Sequence, residues 1–440
     1  MKYTEAVEYL NSLLVFGIKP GLERITELAK RFGNPQNKYK IIHVGGTNGK
    51  GSTSTFIASI LNHAGYRTGL YTSPYVYNLR ERIQVDFKLI PEDDFAEIMT
   101  EVKKVSDDIS KNTNLGNVTE FEAKTIAAFI YYEKMNVDFA VLEVGMGGRF
   151  DATNIVTPLV SVITNISLDH TERLGNTISQ IAFEKAGIIK NGSILVTSVD
   201  RQDAWKVICK KAREEGAEAW RVAEVGDSSA FNPPSPDILW QYECANGEIS
   251  VLGPNTVIDG LKPKLYGKFQ QVNSATAVTA VKALEKYEVK LPREAIFNGI
   301  SNAYIPGRME IVLSEPLLVI DGAHNPDSAE KLITSIKQSF KYKRLITVVG
   351  MLNNHSVQGV IKPIAESSDI IIATQPKWHK ARKAEELAEE ARKYKNSVET
   401  IIDVNKAVKF ALSKADIDDM ILITGSFYTI GEIDPLSYNI

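Results

Sequence analysis

Cysteine is scarce in this 440-residue chain, which carries only Cys209 and Cys244. Two thiols cannot build a multi-bridge framework, and no CxxC pair offers a structural zinc site. A core of this size does not need a disulfide. Long apolar runs are missing as well. No window approaches the ~18 uninterrupted apolar residues of a membrane-spanning helix. Glu5 and Glu8 interrupt the apolar pattern of the first residues, so no secretory leader is expected. Nor does one sign of charge dominate. Lys and Arg number 51 against 54 Asp and Glu, a formal net of −3, which gives no reason to expect a nucleic-acid or membrane partner. With 24% charged and 44% hydrophobic residues, the composition is ordinary for a globular protein and excludes disordered and fibrous classes. The expectation is a soluble protein of a reducing, cytoplasmic compartment, with two to three domains at ~150 residues each.

Two short amphipathic helices are expected at 4–14 and 21–32, broken by Gly17 and Pro20–Gly21. A compact apolar run, YKIIHV (39–44), then leads into the glycine-rich GGTNGKGS (45–52) and a helix-like TSTFIASILNHAGY (53–66). Further buried strands are expected at 137–144, 158–166 and 192–199, with helices at 120–135 and 178–190 between them, a pattern that suits a parallel sheet covered on both faces. Residues 225–266 are different. DILWQYEC, GEISVLG and LKPKLYG alternate and are separated by Pro, Gly and Asn, which predicts a small antiparallel patch before a helix at 270–287. A second strand–helix series follows Pro306–Gly307, with strands at 316–321, 344–351, 369–375 and 419–426 and helices at 327–340, 383–394 and 404–414. The fold class is therefore α/β in two parts. Residues 1–305 would form a P-loop-type domain with a mostly parallel sheet and the antiparallel patch, and residues 306–440 a Rossmann-like domain.

GGTNGKGS carries the strongest chemical signal. Backbone N–H groups of a glycine-rich turn that opens a helix cradle phosphate, and the helix N-terminus adds positive potential. Asn48, Gly49, Lys50, Gly51 and Ser52 make up this candidate nucleotide loop, with Lys50 to neutralise phosphate and the Ser52 hydroxyl as a ligand for Mg²⁺. The generic GxxxxGK[ST] spacing is not met, because Gly51 separates Lys50 from Ser52. An ordinary strand–helix turn is the plain alternative. Glu143 ends another apolar strand, where ligands of open parallel sheets gather, and a carboxylate there can hold Mg²⁺; alone it would read as a local ion pair, but the GMGGR turn and Asp151 beyond it favour a site. His170 follows a further strand end. Lys185 by itself reads as a solvated lysine. Arg308 at the second-part hinge is a candidate phosphate contact, with an interdomain salt bridge as its plain alternative. Asp321 and His324 share one strand-to-helix turn that Pro326 can start.

Together GGTNGKGS, YTSPYVYNLRERI (71–83), LEVGMGGRFDATN (142–154), SLDHTERLG (167–175), EKAGIIK (184–190), YGKFQQVNSATA (266–277), PGRME (306–310) and DGAHNP (321–326) resemble the Mur ligase superfamily, in particular its folylpolyglutamate synthase/dihydrofolate synthase branch. The resemblance implies ATP-dependent amide-bond formation. A carboxylate of the acceptor takes the γ-phosphoryl group, and L-glutamate attacks the resulting acyl phosphate, releasing ADP and phosphate. Such phosphoryl transfer needs charge neutralisation and positioning more than a covalent nucleophile. The resemblance further implies that Ser52, Ser73, Glu143 and His170 surround Mg²⁺. It implies that Lys185 is the carbamylated lysine whose anionic oxygen helps hold a second Mg²⁺, which adds Lys185 to Lys50, Glu143 and His170 as catalytic candidates. Asn273, Arg308 and Asp321 match ATP-contacting positions, with His324 in a loop that closes on the nucleotide. Arg382 matches an arginine that meets the incoming amino acid. Gly17 to Pro20, Phe121, Glu122 and Ala152 are acceptor-side positions. The implied small-molecule substrates are ATP, L-glutamate and a folate or dihydropteroate, with room for a monovalent cation such as K⁺ and a monomeric state.

The chain departs from the branch at Tyr75, where it usually has His, at Phe269, again in place of His, and over Asn353–Asn354–His355–Ser356, where acidic and lysine positions are lost. These departures motivate an alternative, a ligase of the same mechanism acting on a non-folate carboxylate. A nucleotide-binding regulatory protein is opposed by Glu143, His170 and Lys185, and a cell-wall Mur ligase by the wording of the 71–83 and 142–154 segments.

Overall fold

The structure is a computed structural model and describes residues 1–17, 19–353 and 356–433. The chain forms two compact units. The first comprises Met1–Ser73, Arg80–Lys262 and Gln271–Ala303, and the second Pro74–Leu79, Pro263–Gln270 and Tyr304 onward. Two short segments from the first three hundred residues thus pack with the second unit.

The strands of the first unit are β1 (Lys40–Gly45), β2 (Thr68–Tyr71), β3 (Ile83–Val85), β4 (Lys88–Leu89), β5 (Phe139–Glu143), β6 (Val160–Ile163), β7 (Ile194–Thr197), β8 (Glu218–Glu224), β9 (Ile238–Ala245), β10 (Glu248–Gly253) and β11 (Thr256–Leu261). They join in one sheet in the order β11-β10-β9-β8-β7-β6-β1-β5-β2-β3-β4. From β9 through β2 the pairings are parallel; β10 and β11 at one end and β3 and β4 at the other are antiparallel. The central strands are rich in Val and Ile and buried along their length, as a sheet covered by helices on both faces requires. β1 lies between β5 and β6, with Val44 opposite Glu143 and Gly45 opposite Ile163. The loops after these three strands therefore leave the same carboxyl edge, where open α/β sheets place ligands.

The antiparallel patch differs from expectation at its last strand. LKPKLYG is not a strand; Thr256–Leu261 is. A Pro254–Asn255 turn, with Asn255 at φ 63°, reverses the chain earlier, and Pro263 lacks the N–H that a continued ladder would use. The patch also joins the main sheet, since β9 pairs with β8 in parallel. The helix after the phosphate-type loop begins at Lys50, three residues earlier than expected.

The second unit contains β12 (Glu310–Ser314), β13 (Leu317–Ile320), β14 (Leu345–Val349), β15 (Ile370–Ala373), β16 (Val398–Thr400) and β17 (Met420–Thr424), ordered β12-β13-β17-β14-β15-β16. All but the β12–β13 pair are parallel. Clusters of buried aliphatic side chains cover this sheet. Among the described residues no helix is long and apolar enough to cross a membrane. Leu422 is fully buried in β17, at the centre of this sheet. Leu422→Ala should lower stability by about 2–5 kcal/mol, seen as a reduced urea midpoint with an unchanged slope.

Candidate active site at the carboxyl edge of β1

The turn after β1 is braced from the neighbouring strand end. Thr47 N–H donates to the Asn165 carbonyl (2.8 Å), Asn48 N–H donates to Asn165 Oδ1 (2.7 Å), and Thr164 Oγ1 donates to the Asn48 carbonyl (2.7 Å). Gly49, in the left-handed region at φ 84°, caps the helix Lys50–His63. A Cβ there would also run into the side-chain oxygen of Asn273, so the sequence needs glycine on both counts. The first N–H groups of a helix point out along its axis, and here they open at the edge shared by β5 and β6.

Positive charge collects at this edge. Lys50 Nζ donates to the Thr47 carbonyl at 3.0 Å. Lys185 lies in the last turn of the helix Ile178–Ala186 and is buried, and its Nζ donates to the Gly46 carbonyl at 2.7 Å. Burial, and then the charge of Lys50, lower its pKa to about 7. His170, at φ 49° in front of a short helical turn, also sits in the field of both lysines. Burial is the main cause lowering its pKa; Asp169 opposes and Lys50 adds to the lowering. Sequence reading alone had no reason to single out Lys185, because its burial against Gly46 depends on the fold.

Glu143 is buried at the end of β5. Its Oε2 accepts the Ser73 N–H at 2.8 Å, and it lies alongside Gly51. Ser52 is buried in the first turn of the loop's helix. Among the described residues no three His, Cys, Asp or Glu side chains gather as a ready-made cation cage. The donors present are one carboxylate and hydroxyls, mostly hard oxygens, with the His170 imidazole as a nitrogen donor, beside a phosphate-type loop. That set fits Mg²⁺, which keeps waters and takes phosphate oxygens with only one or two carboxylates.

The acceptor-side positions are linked by residues that sequence reading passed over. Arg24 Nη2 donates to the Lys19 carbonyl (2.8 Å), and its Nε donates to both oxygens of Glu122 (3.1 and 3.2 Å). Glu122 also closes a capping box with Thr119 at the start of the helix Glu120–Lys134. Its carboxylate is thus committed to the fold, which is a different task from contacting substrate. Phe121, next to it, packs edge-on near Gly145 and Asp151, and Asp151 precedes the buried Ala152. Ile18 lies outside the described residues.

In the second unit Asp321 is buried. Its two oxygens accept the Met309 N–H (2.9 Å) and the Ala323 N–H (2.8 Å). Burial raises its pKa while Arg308 opposes this. The Arg308 guanidinium lies 4.4 Å from the centre of the Phe427 ring, and His324 Nδ1 is 2.8 Å from the Gly322 carbonyl. Arg382 bonds Glu386 (3.0 Å) and the Asn353 carbonyl (3.1 Å), fixing the 351–353 loop. Asn354 and His355 lie outside the described residues, and Ser356 caps the helix Val357–Ser367. The departure at Phe269 is accounted for by packing, since its ring lies against the cluster containing Met309. Tyr75 lines an open cavity of about 310 Å³ together with Tyr77, Trp378 and Tyr428.

A triphosphate-type loop beside a carboxylate, on a parallel sheet followed by a second α/β unit, is the architecture of Mur-type ATP-dependent ligases. Residues 44–281 match the Mur ligase middle domain, and residues 307–427 match the Mur ligase glutamate ligase domain. The dihydrofolate synthase/folylpolyglutamate synthase of Bacillus subtilis is 36% identical over 433 residues, covering 98% of each chain. FolC of E. coli, solved in complex with DHPP and ADP, is 30% identical with a TM-score of 0.85, covering 97% of this chain and 96% of that one. The bifunctional enzyme of Yersinia pestis, solved with AMPPNP and Mn ion, is 30% identical with a TM-score of 0.85, covering 98% and 97%. The chain belongs to the folylpolyglutamate synthase/dihydrofolate synthase family of Mur ligases.

Glu122→Ala would leave the Arg24 guanidinium buried without its partner. It should destabilise the fold by about 3–5 kcal/mol, read as a fall in the denaturant midpoint. Glu122→Gln, which can still close the capping box, should fall between this variant and the parent.

Proposed function

We propose that this protein joins L-glutamate to a folate, or to dihydropteroate, through an ATP-derived acyl phosphate, releasing ADP and phosphate. The observation that carries the reading is Lys50 at the head of its helix, with the buried Glu143 alongside Gly51 and the buried Lys185 bonded to the Gly46 carbonyl of the same turn. Lys50 and the N–H groups of Gly49, Gly51 and Ser52 hold the phosphates and stabilise charge that grows on the transferring group, while the Asn48 N–H, committed to Asn165 Oδ1, braces the turn. Ser52, Ser73, Glu143 and His170 hold Mg²⁺, which, when bound, neutralises phosphate oxygens. Lys185, carbamylated, exchanges a buried cation for an anion beside Lys50. Asn273 faces the nucleotide from the helix Phe269–Ala283. Arg308, Asp321 and His324 are assigned to the nucleotide and Arg382 to glutamate.

Gly17 to Pro20, Phe121 and Ala152 form the acceptor side, Phe121 offering a ring face to a flat heterocycle, while Glu122 with Arg24 holds that side in place. Residues 1–305 serve as the ATP-binding domain and 306–440 as the glutamate-ligase domain. Mg²⁺ is the working divalent ion, with K⁺ as an accessory cation, and the protein works as a cytoplasmic monomer. The 36% identity to the dihydrofolate synthase/folylpolyglutamate synthase of Bacillus subtilis across 98% of both chains supports the folate acceptor over another carboxylate.

ADP release should require L-glutamate together with dihydropteroate or tetrahydrofolate. Absence of stimulation by every pteridine acceptor would overturn the reading. Lys50→Ala should slow the reaction by about 10²–10³-fold with an unchanged circular dichroism spectrum. Chelation of divalent metal should abolish turnover, and added Mg²⁺ should restore it.

A further inference from the structure

His43 sits in the middle of β1, fully buried, with no part in the nucleotide loop that follows it. Its Nε2 is 2.8 Å from Thr153 Oγ1. Thr153 Oγ1 is in turn 2.6 Å from Asp151 Oδ1, and Thr153 N–H donates to the same oxygen at 3.0 Å. Asp151 Oδ2 accepts the Met146 N–H at 3.0 Å. The carboxylate thus ties together the two ends of the 145–153 loop, and the chain of side chains runs from it back to the central strand.

The direction of this chain follows from counting hydrogens. A threonine hydroxyl has one. At 2.6 Å from a carboxylate oxygen that already accepts an N–H, it goes to Asp151, in a charge-assisted bond. The contact with His43 then needs a hydrogen from the imidazole, so Nε2 carries it and Nδ1 is bare. Among the described residues His43 Nδ1 is indeed buried without a hydrogen-bond partner. Burial, with Lys190 adding to it, lowers the His43 pKa to about 3, so the ring has a single proton to give at neutral pH. A buried nitrogen left unpaired is unfavourable and needs a reason; a leucine would fill the space without it.

The reason lies at the other end. A Cβ on Gly145 would press on Phe121 Cζ at 2.6 Å and sit 3.3 Å from Asp151 Oδ2. The loop that Asp151 ties off therefore forms the floor under Phe121, and Ala152 follows directly in the 3₁₀ turn Ala152–Ile155. We propose that His43 is a positioning residue for the acceptor subsite, donating from Nε2 through Thr153 to fix Asp151, and with it the wall made by Phe121, Gly145 and Ala152. This rests on the reading of Phe121 and Ala152 as acceptor-side residues. The relay moves no proton in the reaction and touches no nucleotide. It links the strand that carries the phosphate loop to the loop that receives the pteridine.

The test uses the full-length protein. Nitrogen-15 NMR of the wild-type imidazole should report the Nε2–H tautomer for His43; an Nδ1–H tautomer would overturn the relay. His43→Leu and Thr153→Val remove the donor and the hydroxyl at nearly constant volume. Each should raise the KM for the pteridine acceptor by about tenfold while the KM for ATP stays within about twofold. His43→Gln, whose amide nitrogen reaches the Nε2 position, and Thr153→Ser should restore the acceptor KM. Parallel rises in both KM values, or a lowered melting temperature with unmoved kinetics, would mean the network serves stability alone and would sink the proposal. Should His43→Leu not fold, Thr153→Val and the tautomer decide the matter. Wild-type protein indifferent to every pteridine defeats the acceptor reading itself. Wild-type protein that responds, with an unmoved acceptor KM in His43→Leu and Thr153→Val, defeats only the relay.

Discussion

Lys50 and Lys185 stand within electrostatic reach of each other at the carboxyl edge of β1, the second of them buried against the Gly46 carbonyl. Placing a cation in a low-dielectric site costs several kcal/mol unless something negative joins it. Most of the first unit can be understood as the scaffold for that placement. The parallel sheet brings three loops to one edge, the Thr47, Thr164 and Asn165 bonds stiffen the phosphate-type turn, and the helix Lys50–His63 directs its N-terminus the same way. The site is pre-organised for an anion, and phosphoryl transfer draws on such pre-organisation more than on a covalent nucleophile.

Around this centre the polar side chains fall into two kinds. Some face the edge: Lys50 bonds the Thr47 carbonyl and Glu143 accepts the Ser73 N–H. Others that seemed equally chemical in the sequence are engaged in building the fold. Glu122 is held by Arg24 and Thr119. A buried carboxylate with two or three donors is an architectural anchor. The distinction matters for reading other members of the family, because motif membership does not separate the two kinds.

The departures at Phe269 and after Gly350 are also accounted for by their surroundings. Phe269 joins an apolar cluster with Met309, and the stretch after Gly350 is fixed to Arg382 through backbone contacts. Drift of this kind is tolerated where packing takes over a position, and is not expected where charge must be placed to within a fraction of an ångström.

The order of apolar runs and glycine punctuation in the chain determined the α/β class, the parallel core strands and the phosphate-type turn, because these depend on local period and on φ angles that only certain residues adopt. Residue type at strand ends pointed to Glu143 and His170 by the same local logic. Tertiary structure decided the rest. The short edge strands, the strand at Thr256–Leu261 and the helices Glu92–Asn112 and Gln202–Glu214 lay outside the sequence reading, the first two because pairing partners and a turn, rather than periodicity, define them. Lys185 took its environment, Arg24 its partner and His43 its tautomer from residues about a hundred or more positions away. Burial and hydrogen-bond direction are properties of neighbours in space, and no local pattern in the chain encodes which neighbours those will be.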